Sequence, residues 1–461
     1  MIPESFIAAI VDVVGPTYVR RDEASRLAYG IDALKLGHPA DLVVLPASAQ
    51  EIAAIARLCH EMRVPLVPRG AGTGYTGGAV PTEGGVVLSL ERLDRILEID
   101  EENLLAVVEP AVVTGDLQAA VEARGLFYPP DPQSLKESSL GGNIAECAGG
   151  PRAFKYGVTK RYVLGLEAVL ATGEIIRTGG KTVKNVVGYD LTQLLVGSEG
   201  TLAIVTQIIL RLMPRPPAVA TLRACFADVP AAARAVSALI RRRIVPVTLE
   251  LIDKDSLDAA VTYAGTGLAP EGTGALLLVE VDGVPEAVVA EAAEVAAGCR
   301  EVGALEVLVA HDEAEREQLW RIRRELSYAI RLIAPHKINN DVVVPRGRVP
   351  ELFALVEQLR ARYALRIPSF GHAGDGNIHV NIMIDPADAG EAERARLAVG
   401  DLFAGVVALE GSISGEHGIG FSKMPYLGLE LSGDVIELMK RVKRAFDPHG
   451  VLNPGKIFPD D

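Results

Sequence analysis

The sequence has little cysteine, few aromatic residues and no long uncharged apolar run. Its 461 residues include four cysteines, aromatic residues make up 5%, and the most apolar stretch, 194–213, contains Glu199 and Arg211. The wide spacing of the cysteines excludes CxxC zinc and iron–sulfur patterns and predicts a reduced, cytoplasmic protein. The interrupted apolar stretch predicts that no segment of the chain spans a membrane as a helix.

Positive charge is also scarce. The 46 lysines and arginines are outnumbered by 60 aspartates and glutamates, which gives a formal net charge of −14. This balance disfavours nucleic acid as a partner, and the sequence has no basic run that opposes this interpretation. The N-terminal segment MIPESFIAAIVDVVG lacks a basic start, so no signal peptide is expected.

Apolar periodicity and turn signals predict a mixture of helices and strands. Ser48 is the predicted N-cap of an amphipathic helix that ends near Arg63, with Glu51 completing a capping box. The segment LEAVLATGEIIRTG (166–179) predicts a hairpin that turns at its Thr-Gly pair. The segment 128–162 is expected to be long and irregular.

A glycine-rich loop, PRGAGTGYTGG (68–78), follows a short apolar segment that is predicted to be a buried strand. Gly72, Gly74 and Gly77 match the GxGxxG pattern of dinucleotide-binding folds, but that pattern must open a helix. Pro81 and the glycines after it exclude a helix at this point. Consecutive glycines still let backbone N–H groups converge on a phosphate, whereas the alternative interpretation is an ordinary glycine-rich turn.

Two further glycine clusters follow, SSLGGNIAECAGG (138–150) and GYDLTQLLVGSEGTLAIVT (188–206). Each predicts a place where the backbone closely approaches a flat or anionic group. Three such clusters in one half of the chain favour a long, extended ligand over a mononucleotide.

These three glycine segments, with the sequence PRAFKYGVTKRYVLGLEAVLATGEII between the last two, resemble the FAD-linked oxidases of the vanillyl-alcohol-oxidase type. The chain is similar to the branch that contains the flavin subunit of glycolate oxidase, D-lactate dehydrogenases and D-2-hydroxyglutarate dehydrogenase. The resemblance extends from about Pro39 to Phe458. It implies an α+β protein in which a two-domain FAD-binding fold, with an FAD-binding PCMH-type domain, carries a C-terminal ferredoxin-like α+β substrate (cap) domain.

The resemblance and a cluster of prolines at 214–217 set the predicted domain boundaries. The expected organisation is an N-terminal helical segment (1–35), an FAD-binding domain (36–216) and a substrate- and metal-binding domain (217–461), with 446–461 returning to the flavin.

In this family FAD lies extended, with its pyrophosphate at the first glycine loop and its isoalloxazine ring at the later glycine segments. The residues that the resemblance implies for FAD binding are Pro68, Arg69, Gly70, Ala71, Gly72, Thr73, Gly74, Thr76, Gly77, Gly78, Pro132, Ser138, Gly141, Gly142, Asn143, Ala145, Gly149, Tyr156, Gly157, Glu199, Gly200, Ile204 and Asn453. The loop lacks the histidine to which some relatives attach flavin, so non-covalent FAD is expected. Cys147 stands where many such proteins have asparagine.

Two histidines and a carboxylate form the clearest candidate for chemistry. His372 and His379 lie in GHAGDGNIHVN (371–381), where an Asp-Gly-Asn turn lets both imidazoles converge despite their odd spacing. With Glu416, from SGEHGIG, they suit a divalent metal such as Zn²⁺, Mn²⁺ or Fe²⁺. Spacing alone leaves open that both histidines are structural, whereas the resemblance implies that all three residues are metal ligands.

His417 is the predicted general base, because oxidation of a secondary alcohol requires removal of the hydroxyl proton near neutral pH. The alternative is that His417 only orients Glu416. A substrate carboxylate requires a cation, and the segment DEAEREQLWRIRRELSYAI offers several arginines, although such clusters are commonly solvated helix faces. The residues that the resemblance implies for substrate binding are Arg323, Ser327, Lys337 and Asn381.

The resemblance implies FAD-dependent, metal-assisted oxidation of a small D-2-hydroxy acid (glycolate, D-lactate or D-2-hydroxyglutarate) to the 2-oxo acid, with hydride passing to flavin N5. Electrons are expected to pass to a partner, either an iron–sulfur subunit, an electron-transferring flavoprotein or a quinone. The protein is therefore expected in the cytoplasm, or at the membrane surface through that partner. Two alternatives stay open: a metal-free FAD oxidoreductase acting on another alcohol, and an FAD-binding electron-transfer subunit without substrate chemistry.

Overall fold

The structure is a computed structural model that describes residues 2–264 and 269–459, so the outer ends of the predicted terminal segments lie outside the described residues. The chain divides into two compact units. The first comprises Met1–Gly149, Val158–Arg215 and Glu416–Asp461, and the second comprises Gly150–Gly157 and Pro216–Gly415. These units are defined by internal contacts, whereas the predicted boundaries concern FAD and substrate binding, so those boundaries stay a prediction.

The helices, in chain order, are α1 (Glu4–Val14), α2 (Glu23–Ala28), α3 (Ala49–Met62), α4 (Thr114–Glu122), α5 (Leu140–Glu146), α6 (Ala153–Tyr156), α7 (Leu191–Leu195), α8 (Val229–Arg241), α9 (Lys254–Ala264), α10 (Pro285–Glu301), α11 (Glu313–Ala329), α12 (Val349–Tyr363), α13 (Ala389–Ala408), α14 (Leu427–Glu430) and α15 (Gly433–Phe446). Short 3-10 turns lie at Pro16–Tyr18, Thr159–Arg161, Ile330–Leu332, Arg346–Arg348 and Met424–Tyr426.

The strands, in chain order, are β1 (Val19–Arg20), β2 (Leu42–Val44), β3 (Leu66–Arg69), β4 (Val86–Ser89), β5 (Ile96–Asp100), β6 (Leu105–Val108), β7 (Leu126–Phe127), β8 (Val163–Val169), β9 (Ile175–Gly179), β10 (Ile204–Arg211), β11 (Met213–Pro214), β12 (Ala218–Phe226), β13 (Thr248–Asp253), β14 (Ala275–Gly283), β15 (Glu306–Val309), β16 (His336–Val343), β17 (Ser369–His372) and β18 (Asn377–Ile384). The predicted hairpin over 166–179 is confirmed by the antiparallel pairing of β8 with β9.

Two main sheets organise the first unit. One has the order β1-β2-β4-β3, with parallel pairing of β2 and β3 to β4, and the other is antiparallel with the order β5-β6-β10-β8-β9. A small β11-β7 pair completes the set. Strands β2 and β4 of the parallel portion are buried along their length, as is typical of strands covered on both faces, and β3 is buried over its first two residues.

Helix α3 shows how local sequence signals act in the first unit. The Ser48 hydroxyl accepts a hydrogen bond from the Glu51 N–H at 3.2 Å, so the predicted N-cap is confirmed. The Glu51 carboxylate accepts from the N–H of Ala47, one residue before the position that a standard capping box uses. Arg63 ends the helix in the left-handed conformation. The predicted helix is therefore present, with a variant of the predicted cap.

The second unit is built on one antiparallel sheet with the strand order β15-β12-β14-β13-β17-β18-β16. Helices α9 and α11 pack together and contribute to one apolar cluster with strand residues such as Ile252, Leu278 and Phe370. Helix α11 begins at Asp312, whose carboxylate accepts from the Glu315 N–H at 2.9 Å. This combination of an antiparallel sheet and packed helices is the α+β organisation that the sequence predicts.

The segment 128–162, expected to be irregular, contains two short helices, α5 and α6. Two adjacent glycines near the start of α5 disfavour helix formation, but Ser139 caps the helix through a hydrogen bond from the Gly142 N–H. The tertiary environment thus overrides the weak local propensity. Within the ranges 2–264 and 269–459, no helix is long and apolar enough to cross a bilayer.

Replacing Phe6 with alanine should destabilise the protein. The Phe6 side chain is fully buried in a cluster that includes Ile10, Ile52 and Leu66, so truncation leaves a cavity. The expected loss is about 3–5 kcal/mol in the free energy of unfolding, observed as a lower melting temperature by calorimetry. Leu27→Ala, at a half-exposed side chain, is the control and should change stability by less than about 1 kcal/mol. Equal effects of the two variants would contradict this assignment of the core.

Candidate active site

The glycine loop of the first unit leaves β3 and makes close backbone contacts. Gly77 has a φ of 80°, and a Cβ built there would overlap the ring of Phe421. A Cβ at Gly70 would overlap the hydroxyl of Ser139. Both positions therefore require glycine, as expected where the chain must approach other groups closely. No helix follows the loop before β4, so the exclusion of a dinucleotide-binding helix is confirmed.

Three segments that the sequence singled out meet around Asn453. Its Nδ2 donates to the carbonyl oxygens of Gly78 and Glu199, at 2.9 and 2.8 Å. Glu199 has a left-handed φ of 52°, and its carboxylate accepts from the N–H groups of Ile419 and Gly420 at 2.8 and 2.7 Å. The first glycine loop, the third glycine segment and the C-terminal segment are thus held together within one unit.

The glycine contacts and buried polar atoms of these segments fit an extended ligand such as FAD. Among the described residues, Asn453 Oδ1 and Glu146 Oε2 are shielded from solvent and have no hydrogen-bond partner. A Cβ at Gly78 would lie 2.9 Å from Glu146 Oε1, and a Cβ at Gly200 would lie 2.8 Å from Pro68 Cγ. The close glycine contacts and the unsatisfied acceptor Asn453 Oδ1 suit a flat ligand that donates a hydrogen bond.

Other residues predicted to bind FAD have internal partners. Asn143 Nδ2 donates to Thr114 Oγ1 at 2.7 Å, and the Ser138 hydroxyl lies 3.1 Å from the same atom. Tyr156, in the segment that belongs to the second unit, donates its hydroxyl to Asp282 at 2.7 Å. The predicted contacts of these three side chains with FAD stay a prediction.

Cys147 ends α5 in the left-handed conformation, with a φ of 55°. Asparagine is among the residues that most readily adopt this conformation, which explains why asparagine is suited to this position. Burial raises the pKa of the Cys147 thiol, so the thiol is held neutral near physiological pH.

His372 and His379 lie on neighbouring strands of the second unit. Strands β17 and β18 form a hairpin in which His372 pairs with Asn377 and Phe370 pairs with His379, so both histidines share one face of the sheet. Their ring centroids are 5.4 Å apart, and one ring nitrogen of each lies within 4.8 Å of one of the other. The predicted convergence of the two imidazoles is therefore what the structure shows, although their role as metal ligands stays a prediction.

Glu250, on β13, is a functional candidate that the sequence interpretation missed. It is completely buried and lies between two predicted site residues: His372 Nδ1 is hydrogen-bonded to Oε1, and Arg323 Nε donates to Oε2. Burial alone would raise the pKa of Glu250, but the charges and hydrogen bonds of His372 and Arg323 outweigh burial and lower the pKa to about 2. A glutamate flanked by leucines in the middle of the strand sequence TLELID was the signal that could have identified it.

Asp341, on β16, is a second buried carboxylate that the sequence interpretation missed. Its Oδ1 accepts from Asn377 Nδ2 at 2.6 Å and lies 4.0 Å from His379 Nδ1. Its Oδ2 accepts from the Gly415 N–H at 2.9 Å. Asp341 therefore holds Gly415, the last residue of the second unit, by a hydrogen bond. Glu416 follows Gly415 directly in the chain.

The remaining predicted substrate residues, Ser327, Lys337 and Asn381, are all hydrogen-bonded within the second unit. Lys337 Nζ donates to Ser327 Oγ at 2.7 Å, which joins β16 to α11. Asn381 is fully buried and accepts from Asn339 Nδ2 at 2.7 Å, while its own Nδ2 donates to the carbonyl oxygen of His379 at 3.0 Å. The structure brings these residues to the face of the sheet that carries the histidines, and their contact with substrate stays a prediction.

His417 belongs to the first unit and lies beside the glycine loop. Its ring stacks on Tyr75, with centroids 5.3 Å apart, and its carbonyl oxygen accepts from Thr76 Oγ1 at 3.0 Å. His417 Nε2 lies 3.8 Å from Glu416 Oε1. Tyr75 was not identified from the sequence, because it stands in the loop as a single aromatic residue without periodicity.

Comparison with known families agrees with this geometry. Residues 40–179 match the FAD binding domain, and residues 215–457 match the C-terminal domain of FAD linked oxidases. The chain belongs to the FAD-linked oxidases, and it is a flavoprotein oxidoreductase. The resemblance stated from the glycine segments is confirmed.

Two relatives match the chain over most of its length. The chain is 45% identical over 462 residues to the glycolate oxidase subunit GlcD of Bacillus subtilis (strain 168), which covers 100% of this chain and 98% of the relative. It is 38% identical over 427 residues to a D-lactate dehydrogenase of Anaerostipes hadrus, with 90% of this chain and 89% of the relative covered.

A solved structure shows the same fold. The crystal structure of p-cresol methylhydroxylase with substrate bound has a TM-score of 0.84, covering 99% of this chain and 97% of that chain. Its sequence identity is 18%, so the likeness concerns the fold alone. The predicted two-domain FAD-binding fold is confirmed.

Glu250→Gln should destabilise the second unit. The change leaves the buried Arg323 guanidinium without its ionised partner, and breaking a buried ion pair in this way costs about 3–5 kcal/mol. Urea unfolding followed by circular dichroism measures this loss. The matched control is Glu325→Gln, which removes an exposed ion pair with Arg321 on α11 and should cost about 0.3–0.5 kcal/mol. A loss no larger than that of the control would show that the Glu250 pair does not stabilise the fold.

Proposed function

We propose that this protein oxidises a small D-2-hydroxy acid, such as glycolate, D-lactate or D-2-hydroxyglutarate, to the corresponding 2-oxo acid. The observation that carries this proposal is the near-full-length similarity to proteins named as a glycolate oxidase subunit and a D-lactate dehydrogenase. Both names specify oxidation of a carbon that bears a hydroxyl beside a carboxylate. Non-covalent FAD, when bound, supplies the acceptor for the hydride equivalent that leaves this carbon.

We propose that His372, His379 and Glu416 hold a divalent ion, with Zn²⁺, Mn²⁺ and Fe²⁺ as candidates. The contact of His372 Nδ1 with Glu250 supports this, because metal-binding histidines commonly use their second nitrogen in such a hydrogen bond. Asp341 supports it by holding Gly415, the residue before Glu416. A divalent ion, when bound, lowers the pKa of a hydroxyl group that approaches it.

Side chains of this protein then remove the hydroxyl proton and bind the substrate. His417 accepts the hydroxyl proton of the substrate on a ring nitrogen, and its stacking on Tyr75 orients the imidazole. Arg323, whose charge is balanced by Glu250, and the Ser327 hydroxyl hold the substrate carboxylate. Lys337, which donates to Ser327, is a further substrate-binding residue. Asn381 fixes the strand position beside His379 through its two amide contacts.

Each oxidation removes two electrons from the substrate, and these electrons must leave the protein before the next turnover. We propose that they pass to a partner, either an iron–sulfur subunit, an electron-transferring flavoprotein or a quinone. The word "subunit" in the name of the Bacillus relative supports a protein partner. A partner at the membrane would keep this chain at the membrane surface, and otherwise it is expected in the cytoplasm.

An anaerobic visible spectrum tests the reaction and the substrate together. The purified yellow protein is mixed in separate samples with glycolate, D-lactate, L-lactate and D-2-hydroxyglutarate. One of the achiral or D-acids should remove the flavin absorbance, and L-lactate should not. A yellow protein that no hydroxy acid bleaches would refute the proposed substrate class while leaving the family intact.

The same assay tests the metal. Treatment with a chelator should abolish bleaching without releasing FAD, and addition of Zn²⁺ or Mn²⁺ should restore it. Full bleaching in protein that contains no divalent metal would show that the two histidines are structural.

His417→Ala should lower turnover about 10²–10⁴-fold, the usual contribution of a general base, and leave FAD bound. The rate of bleaching in stopped flow and the bound flavin content are measured together. His311→Ala is the control, because His311 is exposed on the loop before α11. Unchanged turnover in His417→Ala would remove the assignment of His417 as the base.

A further inference from the structure

A carboxyl group that the proposed reaction does not use lies in the FAD cleft of the first unit. Glu146 is the last residue of α5, and its Oε1 lies against Gly78 of the glycine loop. Its Oε2 lies so close to Gly418 that a Cβ on this glycine would overlap it. The carboxyl group therefore lies between Gly78 and Gly418, and a side chain at either position would displace it.

The Glu146 carboxyl group differs from an ordinary surface carboxylate in the solvation of one oxygen. Oε2 is shielded from solvent and makes no hydrogen bond with any of the described residues. An ionised oxygen in such a position loses its hydration without receiving a replacement, which is energetically unfavourable. A proton on this oxygen removes the charge and the cost of burying it.

The Glu199 carboxylate lies close to the Glu146 carboxyl group. The Cβ position of Gly418 that overlaps Glu146 lies 2.9 Å from Glu199 Oε1, so both carboxyl groups lie against one glycine. Glu199 accepts hydrogen bonds from the backbone N–H groups of Ile419 and Gly420, which favour its ionised form. Since two neighbouring carboxylates repel, the group without these donors, Glu146, is the one that takes the proton.

The charged groups that surround Glu146 agree with this assignment. Burial, and then the charges of Glu199 and Asp32, raise the pKa of Glu146 well above its usual range, while Lys423 opposes the shift. Burial also raises the pKa of Glu199, but the N–H groups of Ile419 and Gly420 and the charges of Lys423 and Lys456 oppose that rise. Lys423 is therefore shared between the two glutamates, while Arg69 lies near Asp32.

We propose that Glu146 carries a proton at neutral pH and that this neutral carboxyl group is a positioning device for the anionic cofactor. FAD brings a pyrophosphate with negative charge into a cleft that already contains Glu199. A protonated Glu146 keeps one further negative charge out of that cleft and supplies an O–H donor at its wall. The inference concerns FAD binding and does not depend on the proposed substrate.

Release of FAD from the loaded protein as a function of pH tests the proposal. FAD fluorescence increases on release, so the rate is measured after dilution at values from pH 6 to pH 9. In the parent protein the proton leaves Glu146 as the pH rises, so release should accelerate. Glu146→Gln keeps the shape of the neutral group at every pH, so the ratio of parent to variant release rates should increase by about tenfold over this range.

Two further variants complete the comparison. Glu137→Gln removes an exposed carboxylate from the same region of the chain and should retain the pH dependence of the parent. Glu146→Asp keeps a titratable group and should also remain pH-dependent. If Glu146→Gln follows the parent curve, the proposal is overturned.

Infrared spectroscopy of the loaded protein provides a readout that is independent of release and turnover. The parent should show a neutral carboxyl C=O band at pH 7.5 that shifts in D₂O, and Glu146→Gln should lose intensity there while Glu137→Gln does not. Absence of a neutral carboxyl band from the parent at this pH overturns the proposal even if the glutamine variant fails to fold.

Discussion

The contact of Glu250 with Arg323 and His372 constrains much of the second unit. A carboxylate without exposure to solvent is tolerated only when charged or hydrogen-bonding partners offset its lost hydration, and here the partners come from α11 and β17. The contact therefore fixes the helix on the sheet and the rotation of the His372 ring at the same time. It also agrees with the register of β13 on β17, in which Glu250 lies opposite His372. The orientation of the His372 ring within the histidine pair is thus tied to how a buried charge is accommodated.

The first unit builds its site from backbone groups instead of a buried charge. Its cleft is formed by backbone, and glycine is required at Gly77 because of a positive φ and close contact with Phe421. Side chains such as Asn453 join loops by bonding to carbonyl oxygens rather than to other side chains. A long cofactor with phosphate and ring portions suits such a surface, because backbone groups recur along its whole length. A chain with a net negative charge can therefore hold an anion without a cluster of exposed basic residues.

How much of this was predictable depends on whether a signal is local. The glycine loop, the capped start of α3 and the hairpin that joins His372 to His379 are each specified within about 20 residues, and the sequence predicted all three. Glu250 and Asp341 were missed because their partners lie on other strands, and the pairing of Glu250 with His372 depends on sheet register. Helix α5 was missed because its glycines give the wrong local preference, which Ser139 and the surrounding contacts override.

Glu250 in the second unit and the half-buried Glu146 in the first follow one physical rule with opposite outcomes. Glu250 has two cationic or hydrogen-bonding partners and stays ionised, whereas Glu146 has a carboxylate neighbour and an oxygen without a hydrogen bond among the described residues. The sequence contains the same residue type in both cases, so composition does not distinguish them. What distinguishes them is whether the neighbours supply donors or further negative charge. The charge state of each glutamate in this protein is therefore a property of the fold around it, and it should be assigned from geometry before the residue is given a chemical role.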